Sequence, residues 1–499
     1  MGRKKVIIIG AGPGGLTAGM ILSNKGFDVE IYEKNNIVGG RNGFIKAGDF
    51  TFDIGPTFFL MKELLERIFK MCSRDLGDYV KIQNLDPMYR LVFNDKTIIA
   101  STDKEKMIVE IERVFPGSSK GYMDYNEREK KKYDRLIPCL EVPYGKLKDY
   151  FSSRLAKALP YLDLHKNLFD VLGKYFDDDE LKICFTFQAK YIGMSPWEAP
   201  GLFSILSYIE HSGGVFHIEG GLNKLSQAMA KVVDEFNGKI HLSQTVVKLI
   251  VEDSVAKGFI LEDGTGIKGD YVIINSDFAH SMKTLVDEKH RKKYTDNHLK
   301  NMKYSCSTFM LYLGLDKIYE DINHHNIFFA KDYKNNVAEI VSNSIIPEDP
   351  SFYVHNPSVI DKTLAPEGKS SVYVLVPIGN TSGGIDWEKH KDSFKDKLLK
   401  LLETKAGMKD LKNHIEEIRI ITPNDWLNKV GIYNGATFNL GHNLGQMLYF
   451  RPHNKFEEFR NCYLVGGGTH PGSGLPTIYE SGRISSELIL HKEGLSLNV

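Results

Sequence analysis

The chain opens with an unbroken apolar run, Val6-Ile7-Ile8-Ile9, the pattern of a parallel strand buried on both faces. Leu16 to Asn24 has helical spacing, and Phe27 to Tyr32 reads as a second strand. Between the first strand and the helix stands Gly10-Ala11-Gly12-Pro13-Gly14-Gly15. Residues 86–130 mix short strands (Tyr89 to Phe93, Thr97 to Ala100) with charged helical stretches. From about 120 to 215 the pattern is helical, interrupted at Pro138, Pro143, Pro160, Pro196 and Pro200. There Leu164, Leu168, Leu172 and Tyr175 share one helical face, with Lys166, Asp170 and Lys174 on another. Such a stripe suits a helix packed on a core or one lying on a membrane surface. A helix over Asn223–Phe236 follows, then strands over Ile240–Val251, Gly258–Leu261 and Tyr271–Asn275, with Asp263-Gly264 as a hairpin signal between the last two. Residues 300–430 are mixed α/β, ending in a helix over Trp387–Ala406 and a strand over Ile415–Ile421. An apolar strand at Cys462–Val465, a glycine-rich loop over 466–476 and a helix from Thr477 close the chain.

Length and charge narrow this picture. At 499 residues the chain has room for two or three domains of about 150 residues. Lys+Arg and Asp+Glu both total 64, which speaks against a nucleic-acid binder. No apolar run is long enough to predict a spanning helix. The 5 cysteines lie far apart with no C-x-x-C pair, so neither a zinc site nor a disulfide framework is expected and a reducing cytosol is the default. His324-His325 has no acidic or cysteine partner at ligand spacing, and no metal is expected there. Gly2-Arg3-Lys4-Lys5 before apolar residues 6–22 has the outline of a signal peptide, but glycines 10, 12, 14, 15 and 19 fit strand, turn and helix better. The start is read as mature protein.

The first loop carries chemistry. It reads G-x-G-x-x-G, and Glu33 ends the next strand 18 positions after Gly15. Gly10 allows a tight turn, Gly12 lets backbone approach a pyrophosphate, and Gly15 lets helix pack on strand. The helix start (Pro13, Gly14) offers free amides and a positive dipole end, and Glu33 can accept from a ribose hydroxyl. Strand, loop, helix, strand and acid in that order predict a dinucleotide site. Gly39-Gly40-Arg41 follows, then Phe52-Asp53-Ile54-Gly55-Pro56. A second glycine pair and a cation near the same pyrophosphate resemble the glutathione-reductase-like flavoproteins, in the branch of amine oxidases and carotenoid desaturases, which favours FAD over NAD. At the other end, Gly466-Gly467-Gly468-Thr469-His470-Pro471-Gly472-Ser473-Gly474 running into a helix suits the electron-rich edge of a flavin.

Further motifs specify the branch. Gln188-Ala189-Lys190-Tyr191-Ile192-Gly193, Leu364-Ala365-Pro366-Glu367-Gly368 and Phe450-Arg451-Pro452, with Gly39-Gly40-Arg41, Phe52 to Thr57 and the Gly468–Gly474 loop, resemble the bacterial phytoene desaturase family, diapophytoene (dehydrosqualene) desaturases included. The likeness covers about residues 5–490. It implies an α/β chain with a discontinuous Rossmann-like FAD-binding domain of the glutathione-reductase/amine-oxidase type, expected over 1–85, 216–295 and 430–499. A mixed α/β substrate domain is expected over 86–215 and 296–429, with a helical membrane-docking part about 120–215. It implies FAD contacts at Gly10, Gly12, Pro13, Gly14, Gly15, Glu33, Gly40 and Arg41, a backbone contact to adenine at Val246, and flavin-side contacts at Gly468, Thr469, Leu475 and Pro476. Gly55, Pro56 and Thr57 would approach the isoalloxazine ring.

The implied reaction removes a hydride from an allylic carbon and a proton from its neighbour, so the protein must orient a long polyene and exclude water. A quinone or oxygen would reoxidise the flavin, and the enzyme would sit peripherally on the inner face of the cell membrane. Asp178 and Lys182, at i,i+4 on an expected helix, align with an acid/arginine pair near the flavin in some members; the alternative is a surface ion pair. His470 is a proton acceptor or a structural part of its turn. Other readings of the same frame are an amine or protoporphyrinogen oxidase, a carotenoid isomerase, a retinol-saturase-like flavoenzyme, and a flavin-free lipid binder of the GDP-dissociation-inhibitor type.

Overall fold

A computed structural model describes residues 2–497; positions 1, 498 and 499 of the expected FAD-binding segments lie outside them. Strand β1 (Lys5–Ile9) is the centre of a five-stranded parallel sheet. On one side it pairs with β2 (Asp28–Tyr32), which pairs with Lys239–His241. On the other it pairs with Tyr271–Ile274, which pairs with Cys462–Leu464. Val6, Ile7 and Ile8 are fully buried because helices cover one face while the strands Val246–Glu252 and Val255–Leu261, with the helix Phe278–Leu285, cover the other, which is why the run has no polar alternation. Helix α1 (Pro13–Asn24) packs between the C-terminal helix Leu475–Lys492 and the helix Asn223–Glu235. Segments near both ends and the middle of the chain thus build one nucleotide-binding sheet.

The expected strand over Ile240–Val251 is two strands. Lys239–His241 ends in the parallel sheet, Ser243 takes φ +55°, and Val246–Glu252 begins a separate three-stranded antiparallel sheet. The Asp263-Gly264 turn joins Val255–Leu261 to a short strand, Gly266–Lys268, that the pattern does not predict. The first departure falls at the polar break Ser243-Gln244-Thr245, where the chain leaves one sheet for another.

A seven-stranded mixed sheet forms the other half, in the order 415–421, 307–315, 370–378, 352–355, 325–328, 89–92, 97–100. Its period-2 alternation sorts the side chains. Phe309, Leu311, Val372, Val374 and Val376 pack in one core with Trp387, Phe394, Leu398 and Leu402 of the helix Trp387–Thr404. The intervening Thr308, Met310, Tyr373, Leu375 and Pro377 line a cavity between the two sheets.

Residues 119–213 are helical, in one 22-residue helix (Ser119–Leu140) followed by short ones. The Leu164 stripe is corrected here. Helix Leu168–Leu172 is only 5 residues long, and Leu168 and Leu172 are 1% and 0% exposed within the helical core. Only Leu164 of the three leucines faces solvent. Among the described residues no helix is long and apolar enough to cross a membrane.

Candidate active site

After β1 the chain turns through Gly10 at φ +95°, a conformation that favours glycine. Helix α1 begins with no side-chain cap and no acidic residue in its first turn, although Pro13, Gly14 and Gly15 are buried. Its dipole and first amides therefore point an uncompensated positive end at whatever occupies the loop. A Cβ on Gly15 would lie 2.4 Å from the Gly10 carbonyl oxygen and 2.7 Å from Asn275 Nδ2, so this glycine sets the close approach of helix and strand. The second glycine pair meets the first: Gly39 N donates to Ala11 O at 2.9 Å, and a Cβ on Gly40 would be 3.7 Å from Gly12 Cα. Glu33 closes the far end. Its Oε2 accepts from Ala11 N (2.8 Å) and its Oε1 from Asn35 N and Nδ2 (3.0 and 2.7 Å), which fixes the carboxylate while leaving acceptor capacity for hydroxyls. Gln244 N donates to Glu33 O at 2.8 Å, which brings the strand starting at Val246 to this edge.

Asn275, at the end of Tyr271–Ile274, ties the loop together by donating from Nδ2 to the carbonyls of Gly10 and Gly12 (2.9 and 3.2 Å). Arg41 Nη1 donates to Thr437 O at 2.7 Å. With its amide oriented to donate to Asp277 at 2.7 Å, Asn439 also accepts from Arg41 Nη1 and Nη2 at 2.8 Å each. Burial pulls Arg41 below its ordinary range while Asp277 acts in the opposite sense. Burial likewise raises the Asp277 carboxyl, and Arg41 counters it. Tyr312 and Tyr373 of the large sheet donate to the carbonyls of Ile54 and Gly55 (2.7 Å each), holding the Gly55-Pro56-Thr57 turn against the cavity.

The C-terminal loop is set by Arg451, which is fully buried and donates only to main-chain carbonyls. Nε reaches Thr469 O (3.1 Å), Nη1 reaches Gln446 O (3.1 Å) and Gly441 O (3.3 Å), and Nη2 reaches Gly467 O (2.5 Å) and Leu440 O (3.3 Å). With no carboxylate among these partners, burial lowers its pKa to about 9. The loop enters helix Leu475–Lys492, again uncapped by any side chain. Two uncapped helix starts, of helices packed on each other, therefore face one space.

That space is a cavity of about 330 Å³, partly open to solvent. One end is walled by Pro13, Arg41, Gly55, Pro56, Thr57, Gly466, Gly467, Gly474, Leu475 and Pro476. The other is walled by Phe58, Leu60, Phe187, Tyr191, Ile327, Phe329, Phe352, Tyr353 and Trp426. Lys190 also lines it, with its Nζ 4.7 Å from the centre of the Tyr333 ring. No carboxylate pairs with Lys190 among the described residues, and burial lowers its pKa to about 8, with Cys306 acting weakly the other way. Behind the aromatic wall, Glu210 is fully buried and accepts from Tyr89 OH (3.0 Å) and Gln188 Nε2 (2.8 Å). Burial raises its pKa to about 7, against the pull of Gln188 and Tyr89.

Of the residues expected to contact FAD, Pro13, Arg41, Gly55, Pro56, Thr57, Leu475 and Pro476 border the cavity. Gly468 and Thr469 are turned away from it. A Cβ on Gly468 would meet Phe278 at 2.6 Å, and the Thr469 hydroxyl donates to Pro452 O. Gly466 and Gly467 take that position instead. Asp178 and Lys182 do not form the expected i,i+4 pair. Asp178 caps the helix Asp179–Cys184 by accepting from Glu180 N and Leu181 N and pairs with Lys96, whereas Lys182 pairs with Asp179 at 2.8 Å. Neither borders the cavity. His470 is 1% exposed, held neutral with a pKa lowered to about 3 by burial and by Arg451, and packs edge-on to Tyr144. Asn275, Arg451, Lys190, Tyr353 and Glu210 enter the account only through the fold; Lys190 and Arg451 stood inside recognised motifs, and the others carried no local signal.

The residues present fit FAD: a carboxylate at the ribose end, two glycine pairs and an uncapped helix for a pyrophosphate, and a second uncapped helix beside a broad apolar slot. Residues 13–490 match the flavin containing amine oxidoreductases, and the chain belongs to that family. It is 51% identical over 489 residues to a 4,4'-diapophytoene desaturase (4,4'-diapolycopene-forming) of a Methylomonas species, covering 98% of this chain and 96% of the relative. It is 33% identical to a zeta-carotene-forming phytoene desaturase of Myxococcus xanthus over 99% of this chain and 96% of that one. A crystal structure of an oxidoreductase from Methanosarcina mazei superposes with a TM-score of 0.59 at 17% identity, over 96% of this chain and 99% of the other, which speaks to the fold. Within the family the chain is an FAD-dependent oxidoreductase of the carotenoid desaturase kind.

Proposed function

We propose that this enzyme desaturates 4,4'-diapophytoene and carries it to 4,4'-diapolycopene. The reading is supported by 51% identity to a relative of that description, against 33% for the phytoene desaturase of Myxococcus xanthus. The observation that carries it is the cavity, glycine-walled at one end and ring-walled at the other, with no charged side chain but Arg41 and Lys190 on its lining. Such a slot selects a long hydrocarbon by shape and water exclusion rather than by polar contacts.

FAD, held by Glu33, the glycine loops, Arg41 and the Leu475 helix, supplies the hydride acceptor when bound. The chain's own residues do the remaining work. Phe58, Tyr191, Phe329 and Tyr353 keep the polyene extended and dry beside Pro56 and Gly474. Loss of a hydride leaves an allylic cation, and a neighbouring carbon must then give up a proton. Lys190 Nζ is the acceptor: it faces the cavity, has no carboxylate to hold it charged, and is lowered by burial into the range where its neutral form is populated. The balance is one –CH2–CH2– converted to –CH=CH–, one hydride taken up by the cofactor and one proton by the amine. A quinone or oxygen is the terminal oxidant, since the chain holds one dinucleotide fingerprint and FAD occupies it.

The substrate resides in a bilayer, and docking is assigned to the surface around Leu147, Phe151, Leu159 and Phe450, which are 58%, 89%, 61% and 50% exposed. Lys146, Lys148, Arg154 and Lys157 flank it and are exposed. Tyr150 contacts Phe450 on this surface, and Tyr144 links it to His470 of the C-terminal loop. Apolar insertion plus attraction to anionic lipid gives reversible, salt-sensitive attachment to the inner face of the membrane.

Two measurements test the reading. Pigment analysis after co-expression with a diapophytoene supply, and separately with a phytoene supply, gives diapolycopene in the first case; efficient conversion of phytoene alone defeats the substrate assignment. In liposome sedimentation, Phe151→Asp with Leu159→Asp keeps its flavin spectrum and leaves anionic vesicles, whereas unchanged sedimentation moves the docking surface elsewhere.

A further inference from the structure

Behind Tyr353 and Tyr373 of the cavity wall, the fold collects histidines that are remote in sequence. His217 lies on the strand Phe216–Ile218, His324 just before the strand His325–Phe328, and His355 at the end of Phe352–His355. They are 4%, 6% and 2% exposed, and one ring nitrogen from each lies within 4.8 Å of the other two. His217 Nδ1 and His324 Nε2 are 3.1 Å apart, and the rings of this pair and of His324 and His355 meet at 70° and 64°, converging rather than stacking. His355 Nε2 and His324 Nδ1 have no hydrogen-bond partner although buried.

The outer groups complete the pattern of a metal centre. His217 Nε2 bonds Asp361 Oδ2 at 2.8 Å, and Asp361 is itself fixed by Gly220 N (2.8 Å) and by Thr363 N and Oγ1 (2.9 and 2.6 Å). A carboxylate behind a ligating imidazole orients the ring and raises its basicity. Asp53 is also buried nearby, close enough to feel both His217 and Asp361, and neither carboxylate pairs with a lysine or arginine among the described residues. A surface pocket of about 450 Å³ lined by His217, Asp361 and Thr363 reaches the cluster at His217.

We propose that His217, His324 and His355 bind one divalent ion of the zinc class through imidazole nitrogens, with Asp361 as the positioning carboxylate on His217. Ligands about 2.0–2.1 Å from a tetrahedral zinc sit about 3.3 Å from one another, so the His217–His324 pair is already at ligand spacing and His355 closes on it by roughly 1.5 Å. Imidazole donors select zinc, cobalt or copper over magnesium and calcium. The ion would join the strand Phe216–Ile218 to the ends of two inner strands of the large sheet at His324 and His355, fastening the two parts of the fold there.

The test uses the untagged, FAD-loaded full chain, stripped with chelator and titrated with Co2+ and then Zn2+. One equivalent of Co2+ gives the intense visible absorption of a four-coordinate ion, one equivalent of Zn2+ displaces it, and Zn2+ raises the melting temperature by several degrees. His217→Gln and His355→Gln abolish the cobalt signal while keeping the flavin spectrum, and Asp361→Asn weakens zinc about 10–100-fold. A wild-type protein with no four-coordinate cobalt spectrum, or a spectrum that survives His324→Gln, overturns the proposal and leaves a hydrogen-bonded histidine cluster. Should a variant lose its flavin, X-ray absorption on the zinc-loaded wild type decides: three imidazole nitrogens support the site, and sulfur or predominantly oxygen ligands refute it.

Discussion

At its nucleotide end the cavity is walled by main chain, and at its far end by rings. Glycines 10, 12, 15, 39 and 40, two uncapped helix starts and the Arg451-bound loop present amides and carbonyls at fixed positions. The far wall is made of Phe58, Phe187, Tyr191, Phe329, Tyr353 and Trp426, carried on several segments, and it presents apolar surface. Phosphate and ribose demand directed hydrogen bonds, so that end tolerates no change of backbone. A hydrocarbon demands only shape and dryness, so the other end can be assembled from whatever rings the sheet supplies.

The sharpest break in this comparison is Gly15→Val. Its side chain has nowhere to go between the Gly10 carbonyl and Asn275, and the variant is expected to retain no flavin absorbance after purification. A full flavin spectrum would show that helix and strand separate more readily than the close contact implies. Next is Arg451→Met, which strips donors from five buried carbonyls at once. A cost of roughly 3–5 kcal/mol in denaturant unfolding is expected. Arg451→Lys should recover less than half of it, since an ammonium cannot reproduce the planar fork.

On the ring-walled side the effects fall on chemistry before stability. Lys190→Met should leave FAD bound and lower turnover about 100-fold. Wild-type turnover rises with pH through about 8 as the buried amine loses its proton, and the variant should lack that limb. Smallest is Glu210→Gln. With its folded pKa raised to about 7, Glu210 keeps a proton in the native state that the unfolded chain has already lost. Wild-type stability from this group is therefore full below about 4.5 and declines as pH rises to about 7, by at most about 1.4 kcal/mol per pH unit. Denaturant midpoints measured across that window should flatten in the variant.

The same contrast explains what could be read from the chain. Gly10 to Gly15 and Glu33 declared themselves because a phosphate loop is local and its constraint is on backbone. Asn275 and Glu210 lie in sequences that look like any strand end or helix, and their partners come from elsewhere in the chain. Of the two readings of the leucine stripe, the core-packed one holds, for a related reason. Leu168 and Leu172 keep helical spacing in a helix of only 5 residues sunk in the core. Leu147, Phe151 and Leu159, which do face solvent, sit on short 3-10 turns and the edges of a short helix, where no periodicity marks them. Spacing identifies a face only when the helix is long enough to have one.

The order of strands in the parallel sheet has a consequence for biogenesis. β1 is made well before its sheet neighbour Tyr271–Ile274, and Cys462–Leu464 and the helix packed on α1 are made later still. Until then the Val6–Ile9 edge, fully apolar and unpaired, must be shielded from other chains. Flavin insertion therefore waits for the helix Leu475–Lys492, and nascent or truncated chains ending before residue 475 would depend on holdase chaperones rather than on cofactor for protection.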